Sequence, residues 1–246
     1  MNDFHGVGTI VTGGAGGIGA ATATLLRERG ARVAVLDLRI DDAPDGVHAV
    51  RCDITDPVAV DEAVATAVDR LGSLDVMVNN AGIGAVGVIA QNDDAEWARV
   101  LDVNVTGIAR VTPAALPHLL RSPHPAIVNT CSAVAYVGVR RRALYSAGKG
   151  AVHALTLAMA ADHAADGIRV NAVAPGTADT PWVARLLEGA DDPDTAARTL
   201  RARQPLGRLV TAEEVADAIA SLASPTAGAT TGTILRVDGG MTSLRL

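Results

Sequence analysis

The sequence is almost free of lysine. It carries 21 basic residues, of which Lys149 is the only lysine, so arginine supplies all the others. The broad, delocalised guanidinium of arginine is a poor substitute for the compact ammonium of lysine. The presence of lysine at this one position therefore indicates a chemical role. Tyr145, one of two tyrosines, lies four residues earlier. This spacing places both side chains on one face of a helix and predicts a tyrosine–lysine pair.

Other absences exclude whole classes of protein. The net charge is -6 and no basic run is longer than 140–142, which argues against nucleic acid or an anionic membrane as partner. The first residues have neither a basic nor an apolar targeting region, and no uninterrupted apolar stretch reaches about 18 residues. We therefore expect a soluble, cytoplasmic protein with a small-molecule substrate. Cys52 and Cys131 lack metal-ligand spacing, so we expect buried apolar thiols and no metal site.

Apolar residues make up 49% of the chain but aromatic residues only 2%, so Ala, Val, Leu and Ile must build the core. A chain of 246 residues is compatible with one α/β domain, and we expect a single dinucleotide-binding catalytic domain over 1–246. Apolar runs at 8–12, 32–37, 47–51, 75–79, 126–131, 168–174 and 233–237 alternate with helical stretches. This alternation predicts a doubly wound, Rossmann-like sheet of seven parallel strands with helices on both faces.

One stretch interrupts this rhythm. Residues 177–211 contain Trp182, several arginines and a polar segment over 188–194. Because it separates the strand near 168–174 from a helix that starts near Thr211, we expect it to be a mobile, substrate-covering excursion.

A glycine-rich turn, Thr12 to Gly19, follows the first predicted strand. Its glycines allow a tight turn and a close approach to a pyrophosphate, while the start of the next helix supplies N–H donors. Asp37 ends the second strand, where a carboxylate can bind both ribose hydroxyls and repel a 2′-phosphate. These features predict NAD rather than NADP, although Arg39 could offset part of the repulsion.

Polar or small residues also follow the next two strands. Asp53 and Ile54 come after the third, and the run Asn79-Asn80-Ala81-Gly82 comes after the fourth. Each could be an ordinary turn or helix cap. Their shared position at the carboxyl ends of parallel strands favours a ligand-binding edge.

The following motifs occur along the chain in this order: the TGxxxGxG turn, NNAG, Ser132 thirteen residues before Tyr145, YxxxK and Pro175-Gly176. In these motifs and in their order, the chain resembles the short-chain dehydrogenase/reductase family over essentially its whole length. The resemblance implies a proton-relay tetrad of Asn104, Ser132, Tyr145 and Lys149, and usually a homotetramer formed through the helices that carry Asn104 and Tyr145. It implies that Thr180 holds the nicotinamide carboxamide and that Lys149 binds the ribose. The full cofactor set expected is Gly13, Gly17, Ile18, Gly19, Asp37, Asp53, Ile54, Asn80, Ala81, Gly82, Tyr145, Lys149, Pro175, Gly176 and Thr180.

The expected chemistry is reversible hydride transfer on a secondary alcohol. A free tyrosine has a pKa of about 10 and is a poor base at neutral pH. We expect Lys149 and an oxidised nicotinamide to lower the pKa of Tyr145, which could then take the substrate's hydroxyl proton. Ser132 should orient the substrate oxygen, and Asn104 should hold a water that links Lys149 to solvent.

Arginines around the expected pocket point to an acidic substrate. Arg142 precedes Tyr145, and Arg185 and Arg203 belong to the excursion, although any of them could be a solvated surface residue. The segment 175–182 with Arg203-Gln204 resembles a subgroup acting on small hydroxy acids, such as 2-keto-3-deoxy-L-fuconate dehydrogenases and cytosolic 3-hydroxybutyrate dehydrogenases. A deoxy sugar acid is preferred to hydroxybutyrate, with Trp182 and Gln204 as further contacts or as packing residues.

Two alternatives stay open. One is a 3-oxoacyl carrier-protein reductase, which shares the tetrad but normally uses NADP. The other is a nucleotide-binding sensor or scaffold without catalysis, which the intact Ser132, Tyr145 and Lys149 disfavour.

Overall fold

The computed structural model describes residues 3–189 and 191–245, and in this part of the chain seven parallel strands form one sheet. Its strand order is β3-β2-β1-β4-β5-β6-β9, and two short strands, β7 and β8, pair separately. The strands are β1 (Gly8–Thr12), β2 (Arg32–Asp37), β3 (His48–Arg51), β4 (Val76–Asn79), β5 (Ala126–Thr130), β6 (Arg169–Pro175), β7 (Ala178–Asp179), β8 (Val210–Thr211) and β9 (Ile234–Val237).

The helices lie between the strands along the chain. Eight α-helices are present in the described ranges: α1 (Gly17–Glu28), α2 (Pro57–Leu71), α3 (Asp94–Leu101), α4 (Gly107–Leu119), α5 (Ala143–Asp162), α6 (Pro181–Glu188), α7 (Pro193–Ala202) and α8 (Ala212–Ala223). The predicted doubly wound α/β fold is therefore confirmed, and each of the seven predicted strands starts and ends within about one residue of its expected bounds.

Both faces of the sheet are covered, which explains why the strands read as continuous apolar runs. On one face, Met77 and Ile127 belong to a core with residues of α2, α4 and α5. On the other, Val35 packs in a core that includes Leu26 of α1 and Ile219 of α8. Sheet order reverses between β1 and β4, which run side by side although β2 and β3 separate them in sequence. Open α/β sheets bind ligands at the carboxyl ends of the strands at such a reversal.

The excursion over 177–211 forms a small, ordered arrangement of its own. Strands β7 and β8 pair in parallel and bring its two ends together. Thr180 is the N-cap of α6, which begins at Pro181, and Asp192 is the N-cap of α7, which begins at Pro193. The expected mobility of this segment stays a prediction.

A π-helical turn, Asp102–Thr106, joins α3 to α4 and was not expected from the sequence. Such turns are rare and often mark functional positions. As predicted, Cys52 and Cys131 are buried free thiols. None of the helices in the described residues is long and apolar enough to span a membrane.

Two neighbouring glycines offer a stability test. A Cβ at Gly14 would lie 2.5 Å from Cγ1 of Val35, whereas one at Gly16 would meet nothing within 4 Å. Gly14→Ala should therefore lower the free energy of unfolding by about 1–3 kcal/mol through overpacking. Gly16→Ala should cost at most about 1 kcal/mol, since alanine is only a poorer helix-capping residue. Urea denaturation of both variants checks this, and equal losses would contradict the packing explanation.

Candidate active site

The glycine-rich turn lies between β1 and α1 at the reversal of strand order. Gly13 and Gly17 have φ values of +63° and +52°, which favour glycine. A Cβ at Gly19 would lie 2.1 Å from the carbonyl oxygen of Gly13, so the helix packs too closely on the turn for any side chain. Gly16, by contrast, faces open space. A bare backbone beside a helix N-terminus fits the phosphates of a dinucleotide.

Asp37 lies at the end of β2 and faces this turn. Its carboxylate accepts hydrogen bonds from the backbone N–H groups of Ala15 (3.1 Å) and Arg39 (3.1 Å). The Arg39 guanidinium points instead toward Asp42, at 3.8 Å. Asp37 is therefore oriented toward the glycine turn, and Arg39 does not pair with it.

Asp53 and Ile54 follow β3. Hydrogen bonds from the hydroxyl and N–H of Thr55 hold the pKa of the Asp53 carboxyl below its usual value. Ile54 is buried and leaves no room for a side chain at position 107, since a Cβ on Gly107 would lie 2.6 Å from its Cδ1. Local contacts thus account for both residues, and their cofactor roles stay predictions.

Asn80 and Thr12 connect the two strands at the reversal. The Asn80 amide donates to the carbonyls of Thr12 (3.1 Å) and Gly13 (3.2 Å), and the Thr12 hydroxyl accepts from the N–H groups of Asn80 and Ala81. The Asn80 amide oxygen also accepts from Thr130, at 3.3 Å. The predicted cofactor residue Asn80 therefore holds the turn in place, and Thr12, first residue of the turn motif, is its partner.

Asn104 lies within the π-helical turn and is 1% exposed. Its side chain accepts from the N–H of Ile83 (2.7 Å) and donates to the carbonyl of Ile83 (2.8 Å). A Cβ on Gly82 would lie 3.1 Å from the Asn104 amide oxygen and 3.6 Å from Nζ of Lys149. The structure thus brings Asn104, Gly82 and Lys149 together, while the Asn104 amide itself is occupied by backbone.

Helix α5 carries Tyr145 and Lys149 on one face, as the spacing predicted. Lys149 Nζ lies 5.8 Å from the centroid of the Tyr145 ring and donates to the carbonyl of Thr130 at 2.7 Å. Ser132 caps the short helical turn after β5 and lines the same cleft as Tyr145, close enough to lower the Tyr145 pKa. The three predicted catalytic side chains therefore meet at the carboxyl edge of the sheet.

The expected lowering of the Tyr145 pKa depends on a bound oxidised nicotinamide as well as on Lys149 and stays a prediction, whereas burial within the protein acts in the opposite direction. Burial raises the pKa of Tyr145 to about 12, and the opposing effects of Arg142 and Ser132 are smaller. Burial also lowers the pKa of Lys149 to about 8. Desolvation therefore dominates the pKa of both side chains, and in the protein without cofactor Tyr145 is a neutral phenol at neutral pH.

Pro175 ends β6 at the same edge, and Gly176 follows it. A Cβ on Gly176 would lie 2.4 Å from the amide oxygen of Gln204. Gln204 is 1% exposed and donates to the carbonyls of Thr177 (3.2 Å) and Arg208 (2.8 Å), so it packs the excursion. Thr180 caps α6, and its methyl group lies 3.4 Å from the Cβ position of Gly17. The excursion thus contacts the glycine turn.

A cleft that is open to solvent at its mouth lies between α5 and the excursion. Arg142 and Arg203 line it from opposite sides and are half-buried. Burial lowers the pKa of both guanidinium groups, and for Arg142 the nearby charge of Arg203 adds to the effect. Trp182 also lines the cleft, and the Arg142 guanidinium stacks 5.6 Å from its ring centroid.

Arg185 does not belong to this group, which corrects its assignment to the substrate site. It is exposed on α6, whereas Trp182, Val183 and Leu186 of the same helix line the cleft. Val183, the buried residue of α6, is two positions from Arg185 and therefore lies on nearly the opposite side of the helix. The sequence interpretation also missed most of the wall, which comprises Val134, Val139, Val183, Leu186, Leu200 and Met241. For Val183, Leu186 and Leu200 the only sequence signal was the amphipathic pattern of α6 and α7, and the other three had none.

Known proteins resemble this chain over nearly its whole length. A family model described as enoyl-(acyl carrier protein) reductase matches residues 13–242. A cis-4-hydroxycyclohexanecarboxylate dehydrogenase of Sinomonas cyclohexanicum is 45% identical, with 96% of each chain covered. A 2-(S)-hydroxypropyl-CoM dehydrogenase 3 of Xanthobacter autotrophicus is 38% identical, covering 95% of this chain and 96% of the relative. The solved Thermoplasma acidophilum aldohexose dehydrogenase has a TM-score of 0.93 at 35% identity, covering 99% and 97%.

The sheet order, the site and these similarities agree. The chain belongs to the short-chain dehydrogenase/reductase family, as its motifs predicted. It is an oxidoreductase that acts on secondary alcohols, and the dehydrogenases of this family generally use nicotinamide cofactors.

Replacing Lys149 should separate stability from activity. Because the pKa of Lys149 is lowered, burial of its cation lowers the free energy of unfolding. This penalty is complete below about pH 8 and decreases as the pH rises to 10.5, the pKa of lysine in the unfolded chain. Lys149→Met should gain about 1–2 kcal/mol at pH 7, after loss of the bond to Thr130, and lose most activity. The gain should vanish near pH 10.5, as urea titrations at several pH values would reveal. A variant destabilised equally at every pH would contradict this account.

Proposed function

We propose that this protein oxidises the secondary alcohol of a small hydroxy acid with NAD, in a reversible reaction. The observation that carries the proposal is the pair Arg142 and Arg203. Both guanidinium groups are half-buried in the cleft that contains Ser132 and Tyr145, and no acidic residue is among the described residues that line it. Two partly desolvated cations without a carboxylate partner favour an anionic ligand, which guanidinium can bind through paired hydrogen bonds.

The rest of the cleft supports an acid with an apolar carbon skeleton. Apart from Ser132 and Tyr145, most of its wall consists of aliphatic side chains and Trp182. A polyol buried there would lose hydrogen bonds to water with few replacements, which costs free energy for each unpaired hydroxyl. A hydrocarbon hydroxy acid therefore takes precedence over the deoxy sugar acid expected from the sequence. The named substrate of the Sinomonas relative, a ring hydroxy acid, has this character.

The preference for NAD rests on Asp37. Its carboxylate is held toward the glycine turn, where it would accept hydrogen bonds from ribose hydroxyls and repel a 2′-phosphate. Arg39 contributes no compensating charge to Asp37, because it points toward Asp42. Gly13, Gly17 and Gly19 supply the bare backbone of the phosphate site.

We infer a step for each of the catalytic side chains, which the geometry of the cleft supports. An oxidised nicotinamide, when bound, adds positive charge to the site and accepts the hydride. Ser132 would hydrogen-bond the substrate oxygen, and Tyr145, once the positive charge of the bound nicotinamide favours its phenolate, would take the hydroxyl proton as general base. In the reverse direction Tyr145, a neutral phenol with a pKa of about 12, would donate its proton to the ketone. Lys149, with a pKa of about 8, can exchange a proton near neutral pH and would hold the ribose.

Substitution of the two cleft arginines tests the substrate class. Arg142→Gln and Arg203→Gln should each lower kcat/KM for cis-4-hydroxycyclohexanecarboxylate by about 10- to 100-fold, mainly through KM, because a charge-assisted bond is lost. With the neutral 4-methylcyclohexanol the loss should stay within about 3-fold. NADH absorbance follows both reactions.

Arg185→Gln is the matched control, because it removes the same charge from an exposed residue that lies outside the cleft. It should leave both substrates within about 2-fold of the wild type, as surface charges contribute little. Equal losses on the acid and the neutral alcohol, or an equal loss in the control, would overturn the hydroxy-acid proposal.

Asp37 can be tested separately through cofactor selectivity. The wild type should use NADH at least about 100-fold better than NADPH in kcat/KM, and Asp37→Ser should reduce this ratio to about 10-fold or less by removing the repulsion. Arg39→Gln is the control and should change the ratio little. A wild type that prefers NADPH would contradict the assignment.

A 3-oxoacyl carrier-protein reductase is the second candidate, because the matching family model is named for a reductase of acyl carrier protein substrates. The same cofactor comparison discriminates the two, since that activity normally uses NADP. Tight NADH binding without turnover of any alcohol or ketone would instead favour a sensor or scaffold.

The single domain, the cytoplasmic location and the homotetramer stay predictions. Leu157 on α5 is 44% exposed, which is compatible with a homotetramer.

A further inference from the structure

A strained residue precedes the first cleft arginine. Arg141 has a φ of +59° and is the sole non-glycine residue in the left-handed region within residues 3–189 and 191–245. This conformation costs an ordinary side chain roughly 1–2 kcal/mol, so the surrounding contacts must enforce it. Arg141 is itself exposed and lines no part of the cleft. Strain beside a functional site is a reason to ask what it positions.

We propose that Arg141 is a positioning residue that sets the backbone and guanidinium of Arg142 for acid recognition. This inference rests on the proposed function, because it acts through the acid-binding role of Arg142. The carbonyl of Arg141 accepts a hydrogen bond from the N–H of Gly87 at 3.0 Å. Gly87 also forms an isolated parallel bridge with Arg142. Left-handed geometry at 141 thus ties the chain to the segment 85–87.

The Arg142 side chain is held by the same segment. Its guanidinium donates to the carbonyl of Ala85 at 2.8 Å and stacks on Trp182. The carbonyl of Arg142 also accepts the N–H of Ser146 at 2.7 Å, which starts α5. A switch of residue 141 to an extended conformation would rotate the peptide between 141 and 142. Both the contact with Gly87 and the direction of the guanidinium would change.

The segment 85–87 is itself held in place by Asn92. The buried Asn92 side chain donates to the carbonyl of Val86 (3.3 Å) and to Glu96 (2.9 Å). A Cβ on Gly87 would lie 2.8 Å from the Asn92 amide atoms, so the two residues pack without spare room. The partner of the Arg141 carbonyl, Gly87, is therefore held in place. A change in the backbone of Arg141 would move Arg142 and not the segment 85–87.

Three substitutions separate conformation from charge. Arg141→Val, Arg141→Asn and Arg141→Gly all remove the exposed guanidinium, but only valine strongly opposes a positive φ. Arg141→Val should raise KM for cis-4-hydroxycyclohexanecarboxylate by about 10-fold and leave 4-methylcyclohexanol within about 2-fold. The asparagine and glycine variants should keep wild-type kinetics on both substrates. Equal behaviour of valine and asparagine would overturn the positioning role.

Gly87→Ala provides a second route if the valine variant fails to fold. It disturbs the same contact from the partner side and should raise KM for the acid selectively; an equal effect on the neutral alcohol would overturn the proposal. The two hypotheses fail differently. An acid-selective loss in Arg142→Gln but not in Arg141→Val or Gly87→Ala overturns the positioning role alone. No acid-selective loss in Arg142→Gln overturns the proposed function.

Discussion

The hydrogen-bonded joint between β1 and β4 is the contact on which the site depends. These strands are distant in sequence, and their register determines where the glycine turn lies relative to the segment 80–82. Asn80 and Thr12 satisfy each other's backbone groups and also connect to Thr130 on β5. Since Lys149 donates to the carbonyl of the same Thr130, the catalytic helix is attached to this joint. A displacement of β4 would therefore move the cofactor turn and the catalytic lysine together.

Burial dominates the electrostatics of the catalytic pair. It favours the uncharged form of both side chains, moving the pKa of Tyr145 to about 12 and that of Lys149 to about 8. Neither value suits a permanent phenolate–ammonium pair. At neutral pH the protein without cofactor therefore holds a neutral phenol beside a lysine that is still mostly an ammonium. The stability cost of a buried lysine is consistent with active sites that sacrifice stability for chemistry.

Much of the fold was predictable because buried parallel strands are continuous apolar runs bounded by glycine or polar residues. Asn104 came only from the family resemblance, but the pairing of Tyr145 and Lys149 was predictable, because their spacing is local and places both on one helix face. The substrate wall was not. Whether Arg185 or Arg203 faces the cleft depends on the packing of α6 and α7, and the amphipathic pattern does not say which face meets the site. The rise in the Tyr145 pKa caused by burial was also not predictable, because desolvation is a property of the packed structure.

The scarcity of lysine has a practical meaning. Within the sequence, the only side-chain amine is Lys149, which is 4% exposed beside Tyr145. Acylating reagents, aldehydes and enzymes that modify lysine therefore find no surface side chain of this type. Any amine-directed label on a side chain would report access to the catalytic centre, and protection from it would report occupancy. The amino-acid composition has thus left the enzyme with a built-in chemical probe of its own active site.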